Sequence, residues 1–355
     1  MIRIGMIGCG MAVQRLHFPA LKRLRRWVAV VALAASNYER AKAFAAGVKI
    51  ARVHTTYEEL LADSAVDAVL VAVPIELNGR VLLDALHAGK HVMAEKPIAA
   101  TLDEAYMIVR EADGRSQVCL IAENFRYRLD LAQMRSLVDS GAIGNVIAFQ
   151  LKVNFDVTAA ARQPWISRGW RHYGRHAGGF VLDAGVHPIA ALREVLGEVS
   201  EVYAQTLNSS SLVHGPDSIL MQVRMKSGVP GHCFFCYTAK EARENALDFA
   251  IFGTEGVLRT GRKLIKVTRG PGRKHESVKT SGRYGEYLRQ WQNFCAAIRG
   301  EEQIISTARK AFGDLAVVDA ALRSSAAGKP CLVNHEFGVT SSGTGAGKSR
   351  SALSY

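Results

Sequence analysis

No stretch of this sequence is apolar for long enough to cross a bilayer. The longest uninterrupted apolar run, Trp27 to Ala35, falls well short of the ~20 residues a spanning helix needs, so no membrane association is expected. A secretory leader is not evident either: Arg3 follows Ile2, and the run from Ile4 to Gly10 is short and broken by glycine, which suits a first strand. A cytoplasmic location is the expectation. Cysteine is sparse, and the six present (Cys9, Cys119, Cys233, Cys236, Cys295, Cys331) do not form a disulfide framework. Cys233 and Cys236 make a CxxC, but inside an apolar and aromatic run, Gly231 to Thr238, that reads as a strand. Residues three apart on a strand face opposite ways, so buried thiols are expected there and no metal. Acidic residues are in deficit, 32 against 45 basic, for a formal net charge of +13. That excess raises nucleic acid or anionic substrates as partners. The basic clusters at Lys22 to Arg26 and Arg259 to Lys274 sit in no recognisable nucleic-acid module, and the second lacks interleaved aromatics. They read as solvated faces, and no nucleic-acid partner is expected.

The chain of 355 residues, 48% hydrophobic and 22% charged, is long enough for two packed domains. A strand over Met1 to Ile7 runs into Gly8-Cys9-Gly10 and a helix from about Ala12 to Leu24. Glycine at position 8 permits a tight turn, and at position 10 it lets the backbone approach a pyrophosphate resting on the helix N-terminus, with Met11 and Ala12 beside it. Val13 stands where a third glycine is usual. The second strand, Val28 to Ala34, ends at Ala35-Ser36-Asn37 without the carboxylate that binds adenosine ribose hydroxyls. Ser36, Asn37 and Arg40 suit a 2′-phosphate, which favours NADP(H) over NAD(H); the same residues also read as a helix cap.

Strand and helix then alternate. Thr56 to Ala62 is helical, Asp67 to Val73 is a strand ending at Pro74, and Leu77 to Ala88 is a helix. Val92 to Ala94 is a strand, Leu102 to Ala112 a helix capped by Thr101, and Val118 to Ala122 a sixth strand. Repeated units with strands this apolar predict a parallel sheet covered on both faces. After residue 124 the pattern changes. A helix over Ala132 to Ser140 leads to a long strand, Asn145 to Phe155, and strands follow at Glu201 to Leu207, Asp217 to Met225, Gly231 to Tyr237, Leu247 to Gly253 and Val257 to Thr260. Two helices, Gly285 to Arg299 and Thr307 to Ala326, close the pattern. The fold class predicted is an α/β Rossmann domain, residues 1–124, plus an α+β domain with a large, mostly antiparallel open sheet, residues 125–337. A Gly/Ser-rich tail, residues 338–355, reads as disordered. Phe234, Leu247 and Phe249 call for cover on that sheet, which predicts a homo-oligomer, dimer or tetramer, formed through it.

Two stretches carry chemistry. In Gly89 to Pro97 (GKHVMAEKP), Lys96 follows a buried strand at the end of the sheet where ligands bind, and Pro97 holds it out of the helical region. A solvated strand-end lysine is the alternative. In Gly178 to Pro188 (GGFVLDAGVHP), Asp183 as a helix cap would bring its carboxylate beside His187 and tune it as a proton carrier. A cap with a space-filling histidine is the alternative.

Together GCG, AGKHVMAEKP and GGFVLDAGVHP resemble the glucose-fructose oxidoreductase, inositol dehydrogenase and rhizopine-catabolism family, over nearly all the chain to about Phe337. The resemblance includes the ending Ser325 to Pro330. It implies an NAD(P)-dependent sugar dehydrogenase or keto-sugar reductase with Lys96, Asp183 and His187 as the catalytic group and a cis Lys96-Pro97 bond. Cofactor contacts would come from Gly8, Gly10, Met11, Ala12, Ser36, Asn37, Arg40, Pro74, Asn78, Glu95 and Lys96. Asn78 replaces the family's usual histidine. The resemblance places substrate contacts at Arg126, Tyr127, Trp165, Arg171 and Tyr173. A non-sugar carbonyl or imine reductase, an NAD-retaining glycosidase and a cofactor-sensing regulator are the competing classes.

Overall fold

The computed structural model describes residues 1–159, 169–174, 176–240, 245–261, 264–270, 274–279 and 285–335. Trp165 and the tail lie outside the described residues.

The apolar runs of the first half form a parallel sheet of six strands. They are β1 (Ile2–Ile7), β2 (Val28–Ala34), β3 (Arg52–His54), β4 (Ala68–Val71), β5 (His91–Glu95) and β6 (Cys119–Ala122), in the order β3-β2-β1-β4-β5-β6. Ile7, Val69 and Val71 feed an apolar cluster on one face while Ile4, Met6 and Leu70 feed another on the opposite face. Strands buried on both sides read as unbroken hydrophobic sequence for that reason. The order reverses between β1 and β4, which opens a crevice at their carboxyl ends. Sequence reasoning did not place β3, because its three residues are only half-buried at the sheet edge.

The helix after Gly10 begins as a π-helical turn, Val13–His17, before α1 (Phe18–Arg23). Pro19 accounts for it: the ring has no N–H and crowds the carbonyl four residues back, and a wider turn, closed by Phe18 N–H on the Val13 carbonyl, makes room. Next come α2 (Tyr38–Val48), α3 (Tyr57–Ala62), α4 (Ile75–His87) and α5 (Leu102–Asp113). Thr101 caps α5 by accepting the Glu104 N–H.

The second sheet has nine described strands: β7 (Val146–Asn154), β8 (Val199–Leu207), β9 (Ser218–Met225), β10 (Pro230–Cys236), β11 (Asn245–Gly253), β12 (Gly256–Thr260), β13 (Leu264–Arg269), β14 (Lys274–Lys279) and β15 (Cys331–Leu332). Their order is β14-β13-β12-β11-β7-β10-β9-β8-β15. Only β7 and β10 pair in parallel among them, so the sheet is mostly antiparallel, as expected. The basic stretch read as a solvated face contains β13 and meets β14. Ile265 and Val267 are buried there while Lys266 points out, an alternation hidden by the density of charge.

Helices α6 (Leu129–Asp139), α7 (Gly169–His172), α8 (Gly179–Leu196), α9 (Glu286–Ile298) and α10 (Ala308–Ala327) complete the described fold. Leu182 and Ile189 of α8 and Phe312 and Leu315 of α10 join Phe149, Phe235, Leu247 and Phe249 in one cluster. Leu247 and Phe249 therefore find cover within the chain and need no second copy. Leu220 and Phe234, register partners on β9 and β10, lie on the opposite face, the first exposed and the second half-buried. Helix α9 returns to the first sheet, where Trp291 and Phe294 pack with Met6, Leu70 and Met93.

Candidate active site

A cavity of about 980 Å³ lies over the carboxyl ends of β1, β4 and β5 and reaches the wall of the second domain. At one end it is lined by Gly8, Gly10, Met11, Ala12, Ser36 and Arg40. Gly8 has φ +102°, and a Cβ on it would lie 2.2 Å from the Ala72 carbonyl oxygen, so no other residue fits. A Cβ on Gly10 would meet nothing within 4 Å; the open space it would fill is the cradle a pyrophosphate needs. The donor set and the geometry of this end therefore fit a dinucleotide. Pro74, Glu95 and Lys96 line the wall further on. Asn37 does not line it: its side chain caps α2 by accepting the Arg40 N–H at 2.8 Å, the capping alternative that its position left open. Asn78 is also behind the wall. Its amide donates to the carbonyls of Glu95 (2.7 Å) and Pro97 (2.8 Å) and so braces the cis Lys96-Pro97 turn.

Lys96 leaves the end of β5 and crosses to α8, where its ammonium donates to the Asp183 backbone carbonyl (2.6 Å) and to Asp183 Oδ1 (2.9 Å). Arg171 of α7 donates from Nε to Asp183 Oδ2 at 2.7 Å. Burial by itself pushes the Asp183 carboxyl up, but the Arg171 and Lys96 cations and their hydrogen bonds outweigh it and hold the group far below the usual carboxylate range. Asp183 does not cap a helix. The two glycines start α8 one turn earlier: Gly179 has φ +52°, and a Cβ there would lie 2.6 Å from the Gly215 and His214 backbone. Asp183 consequently belongs to the second turn, turned toward Lys96 and Arg171 and not toward His187.

His187 has a different carboxylate. Its Nδ1 lies 2.7 Å from Glu123 Oε1, which also accepts the Phe125 N–H at 3.0 Å, and the Phe125 ring stacks on the imidazole at 4.9 Å. Burial alone would raise the Glu123 carboxyl; the His187 partnership, the Phe125 N–H and Arg126 hold it below its ordinary value instead. An ionised carboxylate only accepts, so Nδ1 carries the proton and Nε2 is the nitrogen left to exchange one. Sequence reasoning missed Glu123. The signal was its place immediately after β6, at the ligand-binding end of the sheet. Pro188 follows His187 inside α8, and without an N–H it removes the helical bond the Ala184 carbonyl would receive. Ala184, His187 and Pro188 all line the cavity.

The remaining substrate residues suggested by the sequence divide differently. Of these, Arg171 lines the cavity, along with Phe155, Phe180 and Tyr237, which were not anticipated. Arg126 and Tyr127 are buried away from it. Arg126 pairs with Asp314 and Glu194, and the Tyr127 hydroxyl donates to Asn293 Oδ1 at 3.0 Å. Both follow Glu123 in a 3₁₀ turn, Asn124–Tyr127, that points them into the domain junction. Tyr173 is 76% exposed and outside the cavity. Among the described residues no group of three His, Cys, Asp or Glu side chains could hold a metal, and no helix is long and apolar enough to cross a membrane.

A glycine cradle at a Rossmann switch point, opening on the same cavity as a lysine and a carboxylate-held histidine from a second domain, defines an NAD(P)-binding oxidoreductase. The family models agree: residues 2–123 match the oxidoreductase family with NAD-binding Rossmann fold, and residues 135–333 its C-terminal alpha/beta domain. The chain belongs to the Gfo/Idh/MocA family that the sequence resembled. It is 34% identical to 1,5-anhydro-D-fructose reductase of Ensifer adhaerens over 66% of this chain and 69% of that protein. It is 24% identical to the NADP(+) scyllo-inositol 2-dehydrogenase of Bacillus subtilis over 94% and 96%. An oxidoreductase of Thermotoga maritima superposes with a TM-score of 0.85 at 31% identity, covering 94% of this chain and 98% of that one.

Proposed function

We propose that the protein is an NADP(H)-preferring reductase of keto-sugars, transferring hydride between the nicotinamide and a secondary alcohol or ketone carbon of a sugar or polyol. The observation that carries the reading is that Lys96, on the nucleotide-holding side, and His187, on α8, open on one cavity. The bound nicotinamide supplies or accepts the hydride. His187 moves the proton at the substrate oxygen through Nε2, with Glu123 fixing the ring. Lys96 holds a positive charge where alkoxide character develops, and Asp183 anchors that ammonium through Oδ1 while Arg171 is the second cation on the same carboxylate, at Oδ2. Residues 1–124 would form the nucleotide half and 125–337 the substrate half. The names of relatives support the substrate class: among them are a D-apiose dehydrogenase, 26% identical, and the anhydrofructose reductase already described. The test is a panel of keto-sugars and polyols offered with NADPH, NADH and their oxidised forms, followed by the absorbance of the reduced nicotinamide. Sugar release without net cofactor turnover would point to the glycosidase class instead.

Two expected outcomes sharpen this reading. Glu123→Gln replaces an acceptor-only partner by one that can also donate, so the Nδ1–H tautomer is no longer enforced. A fall in kcat of roughly 100-fold, the low end of what a positioned general acid–base supplies, with a displaced pH profile and an unchanged NADPH affinity, is expected, and an unmoved profile would count against the role of Glu123. Arg40 lines the cavity beside Ser36, so Arg40→Ala should weaken NADPH binding about tenfold and NADH binding much less. Equal weakening of the two would remove the NADP preference.

Self-association through the open face of the second sheet is also proposed, on the strength of Leu220 and Phe234 lying side by side there. Sedimentation velocity giving the mass of a single chain would overturn it.

A further inference from the structure

His17, at the end of the π-helical turn, is wholly buried, and both of its ring nitrogens are engaged. Nε2 lies 2.7 Å from Glu95 Oε1, and Nδ1 accepts the Trp291 indole N–H at 3.1 Å. An indole N–H can only donate. Nδ1 therefore bears no proton, and the proton on Nε2 is the one donated to Glu95. The other Glu95 oxygen accepts the Lys96 backbone N–H at 3.1 Å, so both carboxylate oxygens have assigned partners. Glu95 lines the cavity between the nucleotide cradle and the ammonium of Lys96.

We infer that Trp291 and His17 are positioning residues. Trp291, on a helix from the far end of the chain, locks the His17 tautomer, and His17 in turn holds Glu95 in one orientation and one charge state toward the cofactor. This inference rests on the reading that a nicotinamide cofactor occupies the cavity. The groups around the imidazole are consistent with it. Glu95 faces it from β5, and Tyr287 of α9 presents its ring at 5.5 Å, edge to face. Burial, together with the carboxylates of Glu95, Glu123 and Glu286, holds that phenol un-ionised. Lys96 and His187 also act electrostatically on Glu95, whose carboxyl is held below its ordinary value. Around His17, Glu95 is thus the charged partner, and the indole N–H keeps Nδ1 closed to a second proton.

Trp291→Phe keeps a ring of related shape and removes the N–H. Nδ1 is then open to protonation, and the neighbouring carboxylate favours the imidazolium, which would draw Glu95 into an ion pair and away from the cofactor. The NADPH dissociation constant of the variant, divided by that of the unaltered protein, should rise about tenfold between pH 8 and pH 6, the range in which an imidazole titrates. His17→Gln can still donate to Glu95 and cannot titrate. Adding it to Trp291→Phe should flatten the ratio again, which separates the imidazole from any loss of packing. In ¹⁵N spectra, the His17 ring should hold one protonated and one bare nitrogen across this range in the unaltered protein and should titrate in Trp291→Phe. A constant ratio, a double variant as pH-dependent as the single one, or a His17 that titrates alike in both proteins would overturn the lock. Absence of NADPH binding by the unaltered protein would instead overturn the reading of the cavity, and the ¹⁵N titration would still decide the lock.

Discussion

Lys96→Ala is expected to lower kcat with a keto-sugar by roughly 10²- to 10³-fold, the loss found when one preorganised donor is removed from a developing oxyanion. NADPH affinity should stay within a few fold, because the cradle at Gly8 and Gly10 is untouched. The ammonium is held by two oxygens of the same residue, the carbonyl and Oδ1 of Asp183, so its position is set by α8 and not by a mobile chain. Arg171 remains on Asp183 Oδ2 in the variant, and the carboxylate keeps a cation. The fold is therefore expected to survive, with a melting temperature close to that of the unaltered protein. Lys96→Arg should not restore activity: a planar guanidinium cannot occupy a point between those two oxygens and still face the cavity. Near-full turnover by Lys96→Ala with bound cofactor would end the assignment of Lys96.

The same residues show how far the sequence could be read. The limits of β2 were readable to the residue because its run is buried on both faces and bounded by turn residues. Gly8 and Lys96 were readable because a tight turn and an X-Pro step constrain the backbone locally. Asp183 and His187 were expected to pair with each other, and they do not: Asp183 meets Lys96 and Arg171, and His187 meets Glu123. Which carboxylate reaches His187 depends on where α8 begins, and that is settled by Gly179 lying against Gly215, a contact between segments distant in sequence. Asn78 was placed at the site by the family resemblance, in place of a histidine, and Asn37 as a partner for a 2′-phosphate, yet the hydrogen bonds each makes go to backbone. Arg126 was misplaced because a guanidinium near a cleft in sequence can as readily be turned inward when buried carboxylates await it.

That inward turn leads to the largest stability effect expected. Asp314 of α10 is 2% exposed and accepts from two guanidinium groups: Arg126 Nη2 at 2.5 Å on Oδ2, and Arg193 Nη1 on Oδ1. The side chains of Arg126 and Arg193 are 1% and 6% exposed. Arg193 also pairs with Glu198 through two bonds of 2.8 Å, and both arginines donate to the Lys310 carbonyl. Asp314→Ala leaves two buried cations without their shared counter-charge. Breaking a buried network from one side costs about 3–5 kcal/mol, which in a chain of this size lowers the melting temperature by roughly 4–7 °C. The Arg126 N–H donates to the Glu123 carbonyl at 3.3 Å, so the same substitution should loosen the turn that holds His187 and lower kcat more than it weakens NADPH binding. Replacing all three by apolar residues of similar volume, Arg126→Met, Asp314→Leu and Arg193→Met, should recover most of the stability, because the desolvation cost disappears with the charges. If Asp314→Ala melts within a degree or two of the unaltered protein, the three side chains do not form the buried brace between α8, α10 and the turn behind Glu123.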